Sequence, residues 1–345
     1  MTELSRAAIG RTSSGGVHCT TGRIRAVRVA VVGAGITGAA AAWALARDGH
    51  DVRVLEQFEL DHDRGSSHGR SRIFRLAYTE PHWVELAREA LAAWRALERE
   101  TGEALLELDG LLELAPSESD SSRETLDACG VAWEAADPAR YGVAGPEGWS
   151  ALVQPDAGIV RADEARRVFL RGIPVQTGAR VESLDDVDAD VVVVAAGPWA
   201  RKLLARAGVE LAVTETRETI AYFRHEPGIA AVVDRDATGH LRYALRDHVH
   251  GLKAGTHMSG RAADPDEPGG ANEETVRAIA DWVAERFPGI DPEPVAAEPC
   301  FYTRTADESF VLERHGRIVV ASPCSGHGFK FAPVVGRRVA DLAIL

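Results

Sequence analysis

The segment that most restricts what this chain can become lies near its start. Val27-Arg28-Val29-Ala30-Val31-Val32 is apolar enough to be a strand buried on both faces of a parallel sheet. Gly33-Ala34-Gly35-Ile36-Thr37-Gly38 follows, then an Ala-rich stretch from Ile36 to about Arg47 that predicts a helix stopped by Gly49. Asp51-Val52-Arg53-Val54-Leu55-Glu56 then reads as a second strand, completing a βαβ unit. Such a unit needs both faces of its sheet covered, so the chain is committed to a layered α/β architecture.

The glycine spacing also carries chemistry. Gly33, Gly35 and Gly38 permit a tight turn, close approach to a pyrophosphate and close helix–strand packing. The helix beginning at Ile36 and Thr37 offers free N–H groups and its positive dipole end to phosphates. Glu56, ending the second strand, is placed to accept hydrogen bonds from a ribose 2′-hydroxyl. An acid there fits FAD or NAD and repels the 2′-phosphate of NADP.

Farther along, apolar residues from Trp83 to Leu97 recur at helical spacing. Ser117 to Ser122 reads as a surface loop, Ala162–Leu170 as a short helix and Ala179–Leu184 as a strand. Val191–Val194 is a strand running into Gly197-Pro198-Trp199, and residues 212–258 alternate as in an antiparallel sheet. Asn272 caps a helix from Glu273 to Phe287. The last strand is expected at Arg317–Ala321, and a final helix from about Val334.

With 345 residues, the chain has room for two domains. A formal net charge of −13 argues against nucleic acid, whose phosphates need clustered cations. No apolar run approaches the roughly 18 residues that span a bilayer, so no membrane partner is expected. Cys19, Cys129, Cys300 and Cys324 form neither a metal spacing nor a disulfide framework, consistent with a reducing cytoplasm. Residues 1–26 read as a disordered tail or a start set too far upstream.

Two further runs complete the picture: Cys300-Phe301-Tyr302-Thr303 and Ser325-Gly326-His327-Gly328-Phe329-Lys330-Phe331. With the glycine fingerprint they resemble the monomeric sarcosine oxidase and N-methyltryptophan oxidase family, flavoenzymes that oxidise secondary amino acids. His68-Gly69-Arg70-Ser71-Arg72-Ile73-Phe74-Arg75-Leu76-Ala77-Tyr78 is similar to another motif of that family, with Ser71 where Thr is usual. Gly251-Leu252-Lys253-Ala254-Gly255-Thr256-His257 is similar to a third.

The resemblance implies a Rossmann-like FAD-binding domain and a second, mainly antiparallel-sheet substrate domain, an α/β (α+β) fold. Because the second glycine loop belongs beside the first, both domains are expected to be discontinuous. The flavin domain takes residues 27–80, 150–212 and 315–345, and the substrate domain 81–149 and 213–314.

It further implies FAD linked covalently through Cys300, with Ser67, His68, Arg72, Gly197, Trp199, Gly326, His327, Gly328 and Phe329 beside the cofactor. Arg75 and Lys330 would clamp the substrate carboxylate, and a guanidinium fork matches that group. Lys253 and His257 would face the reacting centre, with a fixed cation stabilising charge developing on O2. Tyr243 and Tyr302 are candidates for the amine end.

The implied reaction is hydride transfer to flavin, imine hydrolysis and reduction of O2 to H2O2, by a monomer acting on a small amino acid. A cyclic imino acid oxidase of pipecolate or proline type is the alternative on the same scaffold. A flavin dehydrogenase using an electron carrier is another. The chain departs from the family between Val181 and Val194, where an extra strand pair is trimmed to a few polar residues, and in ending one helix after the second glycine loop.

Overall fold

The computed structural model describes residues 26–117, 121–236 and 238–345. The proposed tail therefore lies almost wholly outside the described residues. The βαβ unit forms as β1 (Arg28–Val32), α1 (Ile36–Arg47) and β2 (Asp51–Leu55). It nucleates a six-stranded sheet ordered β17 (Val311–His315), β18 (Ile318–Ser322), β10 (Val191–Val194), β1, β2 and β9 (Val175–Gln176). All pairs are parallel except β17 with β18. Val29, Val31, Val191 and Val193 bury one face against α1, while Ala30, Val32, Val192 and Val194 bury the other. That double burial explains the unbroken apolar runs in the sequence.

Helix α1 is covered by α4 (Ala162–Leu170) and α7 (Ala332–Ile344). A side chain at Gly336 would strike the backbone of Ala40, so α7 crosses α1 at nearly backbone contact. Helix α2 (Pro81–Thr101) is longer than the periodicity indicates. It buries Val84, Leu86, Ala87, Ala90, Trp94 and Leu97 in the same core as α1, α4 and α7. The expected boundary at 81 thus does not separate α2 from the core on the six-stranded sheet. Part of the stretch assigned there, β7 (Trp149–Gln154), pairs instead in the second large sheet, while β17 joins the first.

Two local readings are also corrected. Residues 179–184 form no strand; pairing with β2 ends at β9, and the chain turns through 184–190 before β10. Leu184 and Val187, 2% and 6% exposed, cover the sheet face there. The Arg317 guanidinium donates to the carbonyls of Leu184, Val187 and Ala189. That clip holds the shortened turn. Within Ser117–Ser122, α3 (Ser121–Ala128) already begins and Ser122 is buried, while 118–120 lie outside the described residues.

The second large sheet has nine strands: β15 (Arg261–Ala262), β11 (Thr214–Arg224), β14 (Gly251–Thr256), β13 (Leu241–Asp247), β12 (Ala231–Arg235), β5 (Leu111–Pro116), β7, β6 (Glu134–Ala135), and β16 (Ala296–Arg304) paired to β11. The helix capped by Asn272, whose Oδ1 accepts from Thr275 N at 2.9 Å, is α6 (Glu273–Arg286). Its Ile279, Trp282 and Val283 pack on Ala221, Phe223, Val232, Ala244, Leu252 and Ala254. Trp282 Nε1 and Arg286 Nε donate to Asp234 Oδ2 at 2.7 and 2.6 Å, fixing which face of the sheet the helix covers. The opposite face looks toward the first sheet. Between the two lies a small sheet of β3 (Ser71–Phe74), β8 (Gly158–Arg161) and β4 (Leu106–Glu107). Helix α5 (Ala200–Arg206) follows β10 and closes the far side of the six-stranded sheet.

Candidate active site

One cavity of about 490 Å3 runs from the first glycine loop to the inner face of the nine-stranded sheet. Every candidate residue named above lines it except Gly38. Gly38 sits behind the loop, where a side chain would strike the carbonyl of Gly33. Gly33, at φ +105°, likewise has no room for a side chain beside Ala195 O. The two glycines set the tight approach of α1 to β1 that exposes the helix N-terminus.

At that end Glu56 Oε2 accepts from Ala34 N at 2.8 Å, and Ser67 Oγ accepts from Ile36 N at 3.0 Å. These are the amide donors a pyrophosphate oxygen needs, held here by side-chain oxygens. Thr37, Gly197 and Trp199 border the same end. The Trp199 ring meets Phe58 edge-on, and its Nε1 donates to Asp266. The site fits a dinucleotide: a tight glycine turn at a helix N-terminus, an acid at the end of β2 and a cavity long enough to continue past both.

At the middle of the cavity the strand register gathers the polar residues on one face. Lys253 stands opposite Tyr222 on β11 and Leu245 on β13, and Gly255 stands opposite Ile220 and Tyr243. A side chain at Gly255 would strike the Tyr243 ring, so glycine there lets the ring lie across the strand. On β16, Cys300 pairs with Glu218 and Tyr302 with Thr216 of the neighbouring β11. Lys253 is 2% exposed and its Nζ donates to Ser71 O at 3.3 Å. Burial and the nearby Arg72 guanidinium lower its pKa to about 7. Burial pushes the Cys300 thiol up to about 12, with Arg72 and Lys253 opposing.

Arg72 is tied to the carbonyls of Ser71, Ser66 and His68 at 2.9, 2.9 and 2.5 Å and lies 5.3 Å over the Phe329 ring. His68 is held neutral, its pKa lowered to about 4 by burial and by Arg72. Its Nε2 faces Glu298 at 3.7 Å, and Glu298 also accepts from the Tyr222 hydroxyl.

The far end is cationic. Arg75 stacks 4.2 Å from the Tyr78 ring, and Lys330 Nζ lies 5.6 Å from the same ring centroid. Lys330 is 5% exposed and donates to Tyr78 Oη at 3.0 Å and His327 O at 2.9 Å. Burial, with Arg75 adding to it, drives its pKa well below the ordinary lysine value. Burial and Lys330 lower His327 to about 3. His257 faces the Tyr302 ring, and Glu308, pulled below the usual carboxylate range by its His257 bond, closes the rim. Side chains at Gly326 would strike Tyr302 and His257, and at Gly328 the carbonyl of Pro323, so the second loop lies flat against this wall.

The matched family decides what this cavity belongs to: residues 28–342 match the family described as FAD dependent oxidoreductase. The chain belongs to that family. Peroxisomal sarcosine oxidase of Homo sapiens is 32% identical over 91% of this chain and 91% of its own. Monomeric sarcosine oxidase of Bacillus sp. (strain B-0618) is 29% identical over 92% of each. Among solved structures, NikD, described as an unusual amino acid oxidase essential for nikkomycin biosynthesis, superposes with a TM-score of 0.81 at 26% identity, covering 92% of this chain and 94% of that one.

Tyr78, Tyr222, Glu298 and Arg235 also shape the cavity or its wall and were not among the expected site residues. Tyr78 stood within the arginine motif. The others sit on strands whose inward face became apparent only from pairing. Among the described residues no cluster could hold a metal ion and no helix is long and apolar enough to cross a membrane.

Proposed function

We propose that this protein is an FAD-dependent oxidase of secondary amino acids, of the sarcosine or N-methyl amino acid type. The observation that carries the reading is the pair of cations, Arg75 and Lys330, on one tyrosine ring at the far end of the cavity that begins at the glycine loop. A dinucleotide at one end and a carboxylate at the other fill the space in the order the chemistry needs. The relatives, sarcosine oxidases and an N-methyl-L-tryptophan oxidase, favour this reading over a cyclic imino acid oxidase or a carrier-linked dehydrogenase.

When bound, FAD supplies the hydride acceptor and returns the electrons to O2. In this reading, the protein does the rest. Gly33, Gly35 and the start of α1 hold the phosphates, Glu56 the ribose, and Cys300 Sγ the flavin ring by a covalent bond. Arg75 and Lys330 receive the α-carboxylate. The carboxylate favours the protonated form of Lys330, which burial disfavours. The substrate amine must be unprotonated to release hydride, and the cations Arg75, Lys330 and Lys253 disfavour its ammonium form. Tyr243 and Tyr302 wall the amine end, and His257 braces Tyr302. We further place the protein as a monomer in a reducing compartment such as the cytoplasm.

The test is a screen of N-methyl and cyclic amino acids with purified holoenzyme, following H2O2 and dye reduction separately. Peroxide from N-methyl amino acids supports the reading. Dye reduction without peroxide would replace it with a dehydrogenase, and a preference for cyclic substrates with the cyclic imino acid oxidase. Arg75→Ala is expected to raise KM for carboxylate substrates, since stranding a buried charge typically costs about 2–5 kcal/mol.

A further inference from the structure

The substrate end of the cavity holds a third cation that the clamp does not use. Arg235 ends β12, beside Leu241 on β13 in the strand register. Its neighbour Asp234 is taken by Trp282 and Arg286 on the outer face, so Arg235 is directed to the inner one. There it lines the same cavity as Arg75, Tyr243, His257 and Lys330.

Its guanidinium is unsatisfied. Nε is buried without a partner, and among the described residues the Arg235 side chain makes neither a hydrogen bond nor an ion pair. The charged groups that act on it are Glu113, Arg75, Glu80 and Glu308. Glu113, the obvious structural partner, is 2% exposed and leaves its own Oε2 unpartnered. Arg235 itself is half-buried, and a partly desolvated guanidinium that stays charged gains from an anion brought to it. One substrate carboxylate can satisfy Arg75 and Lys330 together, which leaves Arg235 within the field of Glu113, Glu80 and Glu308 but with no anion bonded to it. Val233, Leu241, Tyr243 and Leu245 form the wall beside it, an apolar surface suited to short methylene groups.

We propose that Arg235 binds a second carboxylate of the substrate, so that the preferred substrates are N-substituted amino acids carrying two acid groups. This rests on the amino acid oxidase reading above and specifies its substrate class. The second acid is carried either on the side chain or on the nitrogen substituent, and the test separates the two.

Holoenzyme is assayed with N-methyl-L-glutamate against N-methyl-L-glutamine, and with N-(carboxymethyl)glycine against N-ethylglycine. In one of these pairs the acid is expected to exceed its neutral counterpart in kcat/KM by roughly a hundredfold, the scale of a buried charge pair. Arg235→Met should collapse that ratio, and Arg235→Lys should restore part of it. The pair that responds identifies where the second carboxylate sits. Ratios near one in both pairs, or an equal loss for acid and neutral substrates in Arg235→Met, overturn the inference.

Calorimetry of glutarate and butyrate keeps the proposal separate from turnover. Glutarate binding tighter than butyrate in the wild type, but not in Arg235→Met, upholds the second anion site even if no amine is oxidised and the oxidase reading fails. Equal affinities in the wild type remove it.

Discussion

Lys253 and Cys300 lie on strands that flank β11, and both owe their character to a dry environment: burial pulls the lysine down to about 7 and pushes the thiol up to about 12. For Lys253 the protonated form is the useful one, and it exists below that pKa. The oxygen-consuming half-reaction is therefore expected to slow as pH rises through about 7, and Lys253→Met should abolish that limb. The variant should slow reoxidation by two to three powers of ten, about 3–4 kcal/mol of barrier, with a much smaller effect on anaerobic reduction. Stopped-flow traces of each half-reaction decide it; equal slowing of both would make Lys253 a substrate or structural residue. For Cys300, the expected result is a yellow precipitate after acid denaturation of the wild type and released FAD from Cys300→Ala. Cys324→Ala should keep attachment, because Cys324 Sγ is held by local bonds such as that from Thr303 N at 3.4 Å. Flavin free in the wild-type supernatant would end the covalent proposal.

Among the elements, two joints matter most for the site. The turn at 184–190 is the trimmed segment read from the sequence, and it is held by Leu184 and Val187 below and by Arg317 across its carbonyls. Arg317→Ala should lower unfolding stability by about 2–3 kcal/mol, since hydrogen bonds to a charged donor are the stronger kind. Denaturant titration of the holoenzyme measures this, and a change under about 0.5 kcal/mol, the range of ordinary surface substitutions, would mean that the apolar plug alone holds the turn. The second joint is α7 on α1. Gly336→Val would drive a branched side chain into Ala40, displacing the helix whose N-terminus faces the phosphates. Weaker FAD retention together with a lower Tm is expected. Gly289→Val serves as a control, since nothing lies within 4 Å of an added Cβ there, although its φ of +85° brings strain of its own.

At the scale of the whole molecule the site belongs to neither sheet alone. One sheet brings the glycine loops, the other the polar face with Lys253 and Cys300, and the cavity joins them. A cofactor spanning both should couple their unfolding, so flavin-free protein is expected to melt lower and less cooperatively than holoenzyme by calorimetry. Sedimentation velocity should find a single species at the monomer mass. The βαβ unit, the capped α6 and the motif residues were legible in the sequence because each rests on local causes: glycine backbone freedom, a cap three residues from its donor, an arginine spaced to one strand face. The partner of α2 was not legible, because an amphipathic helix states that it has an apolar face but not which layer receives it. The trimming before β10 was legible, but not what holds the turn at 184–190, since its clamp comes from Arg317, more than a hundred residues away in the chain. Arg235 is the sharpest case. An arginine at the end of a strand ordinarily reaches solvent; here α6 takes Asp234 on the outer face, and the pairing of β12 with β13 on one side and β5 on the other turns its neighbour inward. Side-chain chemistry and local conformation are properties of short sequence, but burial is a property of what packs on the other side, and only the tertiary structure decides that.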